Sequence, residues 1–175
     1  MIIAKEWLAD NNALNVFVLL RALTYSALFI GLLLVYLPAR VLSRGGVRPA
    51  ENSVRQVLGL TIATAGSLLA LWCIVTFAAI GRGTPAPFDP PRHLVIRGPY
   101  RFVRNPMYIG AGLALAGAAL YSASFSLLAY AAVFLFATHL LVVGYEEPAL
   151  RQSFREEYEA YCSRVRRWWP RAWRG

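Results

Sequence analysis

The chain has 175 residues, of which 58% are hydrophobic and 15% charged, with a net charge of +9. One domain of this length with so few charges is an integral membrane protein, and the arginines that flank its apolar runs suit anionic lipid headgroups rather than nucleic acid. Cys73 and Cys162 stand far apart, which excludes a disulfide framework and a cysteine-based metal site.

Residues 1–15 mix apolar and polar types and lack a cleavable leader pattern. A first span is expected over Val16–Leu37, with Arg21 snorkelling to the headgroups. Pro38–Arg55, with its glycines, prolines and four arginines, reads as a loop. Val57–Ile80 carries no charge and is long enough to cross a hydrocarbon core of ~30 Å. Gly81–Pro106 is rich in glycine and proline, which argues against helix. Its interleaved Phe88, Leu94, Val95, Ile96 and Tyr100 argue against disorder, because such residues need a surface to pack on.

Met107–Val143 contains no Asp, Glu, Lys or Arg, and its 37 residues exceed one ordinary span. The Ser122-Ala-Ser-Phe-Ser126 stretch offers a turn, so the expectation is a helical hairpin over 107–121 and 124–143. Gly110, Gly112, Ala116 and Gly117 allow a neighbouring helix to approach closely. A hairpin returns the chain to the side it left, so Arg97–Tyr108 and the segment after Val143 should share one membrane face. That segment begins Gly144-Tyr-Glu-Glu-Pro and is expected to continue as a helix to about Trp169. Leu150, Phe154, Tyr158, Tyr161 and Val165 form one apolar stripe, so the helix should be amphipathic and lie over the polar patch. Trp168, Trp169 and Trp173 with Arg166, Arg167, Arg171 and Arg174 read as an interfacial anchor.

The fold class expected is therefore all-α and polytopic: four transmembrane helices, the last two a hairpin, followed by an amphipathic helix. The single domain divides into two N-terminal spans (1–80), a loop (81–106), the hairpin (107–143) and the C-terminal helix and tail (144–175). Loop 81–106 holds five arginines against one aspartate, which favours the cytoplasmic side. Loop 38–55, with four arginines and one glutamate, then violates the positive-inside rule.

Taken singly, these arginines read as lipid anchors, the tyrosines as interfacial residues, Glu146-Glu147 as partners of a helix dipole and His139 as a packed histidine. The combination is more specific. Gly98-Pro-Tyr-Arg-x-x-Arg-Asn-Pro-x-Tyr-x-Gly110 is followed by Glu146-Glu-x-x-Leu-x-x-x-Phe-x-x-Glu-Tyr-x-x-Tyr161 and then Arg167 and Pro170. Over residues 84–170 this resembles the isoprenylcysteine carboxyl methyltransferase and phospholipid methyltransferase superfamily. The resemblance implies a membrane-embedded methyltransferase that uses S-adenosyl-L-methionine, held between the loop before the hairpin and the segment after it.

Carried over by position, the family's cofactor residues fall on Arg92, His93, Leu94, Val95, Tyr100, Asn105, Pro106, Met107, Tyr108 and Glu146. His93 is one place out of register with the family histidine, and Asn105 replaces a histidine. The arginine that faces the substrate in prenylcysteine enzymes falls on Val142. Arg104 is a candidate for the cofactor carboxylate, and His139 and Glu147 for a base; with Arg104 and Asn105 they form the candidate catalytic set. The aromatic faces of Tyr100 and Tyr108 can stabilise the sulfonium, and Glu146 can accept from the ammonium or ribose hydroxyls. The expected partners are membrane lipids and a lipophilic or amphipathic acceptor, either a prenylcysteine-like carboxylate, a phospholipid amine or a small thiol. No metal or nucleic acid is expected. The rival readings are an NADPH-dependent membrane reductase of the sterol-reductase type, with Arg92 and Arg97 on the extra phosphate, and a non-catalytic membrane binding protein.

Overall fold

The computed structural model describes residues 24, 27, 28, 30–45, 54–81 and 94–170. Residues 1–23, most of the loop at 46–53, and 82–93, with Arg92 and His93, lie outside the described residues. So does the end of the tail, with Arg171, Trp173 and Arg174.

Within the described residues the protein is helical, with no strand beyond one isolated bridge, Val103 to Arg166. A π-helical turn at Gly31–Tyr36 leads into α1, Leu37–Gly45. The proline-rich stretch expected as a loop from Pro38 is thus helical as far as Gly45. The cause is the wider turn: the Leu37 N–H donates to Leu32, five residues back. That relaxed register admits Pro38, whose ring would crowd the preceding turn of a regular helix.

The second helix, α2, runs Val54–Gly81, and α3 and α4 form the hairpin at Pro106–Ser122 and Phe125–Leu141. The turn falls where the serines predicted it. Ala123 takes the left-handed conformation (φ 49°) and ends α3. Ser124 caps α4 through its hydroxyl, which accepts from the Leu127 N–H at 3.2 Å.

α2 and α3 pack antiparallel along a seam of glycines. Gly59 lies against Gly117 and Tyr121, and Gly66 against Gly110 and Ala114. A Cβ on Gly117 would sit 2.3 Å from the Ala63 nitrogen, and one on Gly66 2.5 Å from the Ala114 nitrogen. The glycines recur at seven-residue spacing on both helices, so each presents one smooth stripe. Gly112 faces the other way and receives Leu135 of α4. Tyr108, Ala111 and Leu115 of α3 bury against Ala131 and Phe134 of α4 and against Val142. The π-helical turn near the N-terminus joins this core through Leu33 and Leu34, and the Leu33 carbonyl accepts from the Tyr130 hydroxyl at 2.8 Å.

Large apolar side chains stay exposed on the outer faces: Leu60, Leu68, Leu71 and Val75 on α2, and Val133, Phe136 and Leu140 on α4. In water such patches would promote association; in a bilayer they meet acyl chains. Two helical stretches, Val54–Phe77 and Phe125–Arg164, are long and apolar enough to cross a membrane, and the shorter Pro106–Ser122 is also apolar.

After α4 a π-helical turn, Val142–Glu146, leads into α5, Glu147–Arg164. α5 is interrupted at Arg155 (φ 41°, ψ −115°). It ends at Arg164 rather than near Trp169, because Val165 is extended and Arg166 and Arg167 pair with the loop before α3. The Arg104 N–H donates to the Arg166 carbonyl at 2.9 Å. That loop is not wholly irregular: Gly98–Arg101 forms a 3₁₀ turn.

Gly117→Val should disrupt the seam and destabilise the protein by about 3 kcal/mol or more. Gly144→Ala, where an added Cβ meets nothing within 4 Å, should change the unfolding temperature little. Thermal unfolding in one detergent compares the two.

Candidate functional site

Gly98 starts the 3₁₀ turn at φ 60°, and a Cβ there would lie 3.0 Å from the Thr76 Oγ1. A residue other than glycine would therefore be strained here by both conformation and space. The turn sits on the C-terminal part of α2, where Val95 and Tyr100 bury with Cys73, beside Leu69, Phe77 and Met107. Tyr100 is buried, and its carbonyl accepts from the Tyr161 hydroxyl at 2.6 Å. Leu94 packs on the buried Tyr158, Tyr161 and Val165, with Leu150 and Phe154. The apolar stripe expected on α5 is therefore the face that covers the loop.

Tyr108, in the first turn of α3, donates its hydroxyl hydrogen to Glu146 Oε1. This bond joins the two motifs across the hairpin, at the end where both were expected. Glu146 is half-buried. Burial holds its carboxyl above the ordinary value, the Tyr108 hydrogen bond works against that rise, and the neighbouring Glu147 charge adds to it.

Glu147 points elsewhere. It is 2% exposed, and three arginines from three segments meet it. Arg167 makes a forked contact, Nε to Oε1 at 2.6 Å and Nη2 to Oε2 at 2.9 Å. Arg104 Nη1 lies 3.4 Å from Oε1, and Arg151 Nη1 3.6 Å from Oε2. Arg104 Nη1 also reaches Cys162 Sγ at 2.6 Å and the Tyr158 hydroxyl at 3.5 Å, while its Nε is buried without a hydrogen-bond partner. Burial alone would raise the Glu147 pKa, but the Arg167 hydrogen bonds and the charges of Arg104, Arg167 and Arg151 outweigh it. The carboxyl is held below its ordinary value.

Asn105 donates from Nδ2 to the Arg167 carbonyl at 3.4 Å. His139 lies apart from the two acids, where its Nδ1 accepts from the Trp168 indole at 3.0 Å. A neutral ring then carries its proton on Nε2. Pro106 is buried at the start of α3, and Met107 packs against both apolar clusters.

The structure thus brings together Leu94, Val95, Tyr100, Arg104, Asn105, Pro106, Met107, Tyr108, Glu146 and Glu147. Sequence reasoning passed over Arg151, Tyr158, Cys162, Arg167 and Trp168 as site components. Arg167 stood in the quoted pattern, and Tyr158 and Tyr161 in the apolar stripe; nothing in the sequence signalled Cys162. Among the described residues no group of three or more His, Cys, Asp or Glu is placed to hold a metal ion.

A helical, apolar bundle with exposed apolar outer faces and a polar and aromatic cluster at the mouth of a hairpin suits an integral membrane protein. The phospholipid methyltransferase family model matches residues 54–157, more than half of the chain, and the chain belongs to that family. It is therefore a membrane methyltransferase. No curated protein and no solved structure gives a significant match.

Glu147→Ala should leave Arg104 buried and unpaired and destabilise the fold by about 3–5 kcal/mol. Because the folded Glu147 pKa is depressed, its stabilising contribution is complete above the ordinary carboxyl value of 4.5. It should fade as pH falls through the lower folded value. Unfolding temperature against pH should show an acid-side fall for the wild type that is shallower for Glu147→Gln.

Proposed function

We propose that this chain is a single-domain, four-span membrane methyltransferase that takes its methyl group from S-adenosyl-L-methionine and delivers it to a lipophilic or amphipathic acceptor. The acceptor is a prenylcysteine-like carboxylate, a phospholipid amine or a small thiol. The site faces the cytoplasm, where the arginines gather. The observation that carries this reading is the Tyr108–Glu146 bond.

The residues suit the methyl donor. Glu146 is a half-buried acid hydrogen-bonded to Tyr108, and it can accept from an ammonium or from ribose hydroxyls. Tyr100 and Tyr108 offer aromatic faces to a cation, and Leu94, Val95 and Met107 offer apolar walls. The buried, unpartnered Arg104 Nε is a donor suited to a carboxylate. Arg92 and His93 are proposed as further contacts from the resemblance alone. When bound, the donor supplies a methyl group on a sulfonium, activated toward in-line displacement.

The protein's task is then alignment and exclusion of water. Tyr108 orients the Glu146 carboxylate. Asn105 and Pro106 fix the start of α3 and so the direction of Tyr108. Leu150, Phe154, Tyr158 and Tyr161 close α5 over the loop. Glu147 is committed to arginines and the His139 Nδ1 to Trp168. This arrangement favours acceptors that are already nucleophilic, such as a carboxylate, a thiolate or a free amine.

Detergent-purified protein should bind S-adenosylhomocysteine in calorimetry. Tyr108→Phe, which keeps the ring and loses the hydrogen bond, should weaken binding roughly tenfold. Glu146→Ala should abolish it with the fold retained. A folded wild type that binds NADPH and not S-adenosylhomocysteine would overturn the proposal in favour of a reductase.

A further inference from the structure

Arg167 touches both halves of the candidate site with different parts of itself. Its guanidinium grips Glu147, the residue next to Glu146, through two hydrogen bonds at 2.6 and 2.9 Å. Its carbonyl takes the Asn105 backbone N–H at 3.3 Å and the Asn105 Nδ2 at 3.4 Å. Asn105 stands three residues before Tyr108. One residue of the tail thus ties the loop that aims Tyr108 to the turn that aims Glu146.

A second observation agrees. Asn105 is the N-cap residue of α3, where an asparagine side chain ordinarily accepts from its own helix, yet it makes no capping hydrogen bond. Its side-chain bond is the one that Nδ2 donates to the Arg167 carbonyl. The neighbouring bridge of Val103 with Arg166, and the Arg104 N–H to Arg166 carbonyl bond, hold the loop and the tail side by side. The contacts of Glu147 with Arg104 and Arg151 are longer, at 3.4 and 3.6 Å, and are not forked.

We infer that Arg167 is a positioning residue that sets the spacing of Tyr108 and Glu146, and through it the affinity for the methyl donor. The inference rests on the methyl-donor reading above. Lysine replaces the function only in part, because an ammonium keeps the charge but is a point donor and cannot make the planar fork to both carboxylate oxygens.

The test uses the full chain in detergent, with Arg167→Gln, Arg167→Lys and the control Arg166→Gln. Arg166 has an exposed side chain, and its substitution removes the same charge while keeping the tail's backbone bonds. Two quantities are read: S-adenosylhomocysteine affinity by calorimetry, and amide hydrogen exchange over 104–109 and 143–148. Arg167→Gln should weaken affinity roughly tenfold or more and speed exchange in both segments together. Arg167→Lys, the milder variant should the glutamine fail to fold, should do the same to a smaller extent, and Arg166→Gln should match the wild type.

Wild-type affinity in the Arg167 variants would overturn the inference and leave the methyl-donor reading standing, whether or not exchange changes. A variant affected no more than Arg166→Gln would also overturn it. Failure of the folded wild type to bind would instead remove the methyl-donor reading, and with it any role for Arg167 in donor affinity.

Discussion

A carboxylate 2% exposed is the constraint on which the site depends. An ionised acid removed from water must be paired, and the penalty for leaving it unpaired is several kcal/mol. Glu147 meets this by drawing in Arg104 from the loop before the hairpin, Arg151 from its own helix and Arg167 from the tail. The loop and the tail are distant from each other in sequence, and the cluster adds to the backbone bonds that join them. Buried ion pairs add little net stability over apolar packing, so what the cluster supplies is a unique arrangement. The Tyr161 hydroxyl on the Tyr100 carbonyl adds a second fixed point on the same surface.

The cluster works because the hairpin and α2 provide a rigid floor. Helices in a bilayer gain no hydrophobic drive from meeting one another, so close backbone contact must supply the attraction. The glycine seam does so along α2 and α3. It also fixes where α2 ends relative to the start of α3, which is where Gly98 fits against Thr76 and Tyr100 reaches Cys73. The site is thus held from below by small residues and from above by charge.

Much of this was legible in the sequence because it was local. A charge-free run too long for one span, broken by serines, gives a hairpin, and a hairpin places Tyr108 and Glu146 at the same end. The stripe from Leu150 to Val165 gives the buried face of α5. What stayed hidden was tertiary. Arg167 has the composition of a lipid anchor, and Glu147 that of a dipole partner; neither shows in sequence that it seeks the other. The helix ran past Arg164 in expectation because no breaker intervenes before Pro170, whereas pairing with the loop draws the tail into an extended form. Pro38 signalled a stop that a π-helical turn removes.

Two adjacent acids end in different surroundings, and the π-helical turn at Val142–Glu146 accounts for how. In that turn the Glu147 N–H donates to the Val142 carbonyl, five residues back. One residue added to a helical turn rotates everything after it by about 100°. Without the added residue, the acid that follows α4 onto the tyrosine side would be a different one. With it, Glu146 meets Tyr108 while Glu147 turns toward the arginines. One acid is left half-buried with a raised pKa, hydrogen-bonded to Tyr108; the other is buried among arginines with a lowered one. The geometry separates the two as well: Glu146 faces the tyrosine, and Glu147 joins the loop, its own helix and the tail through the arginines.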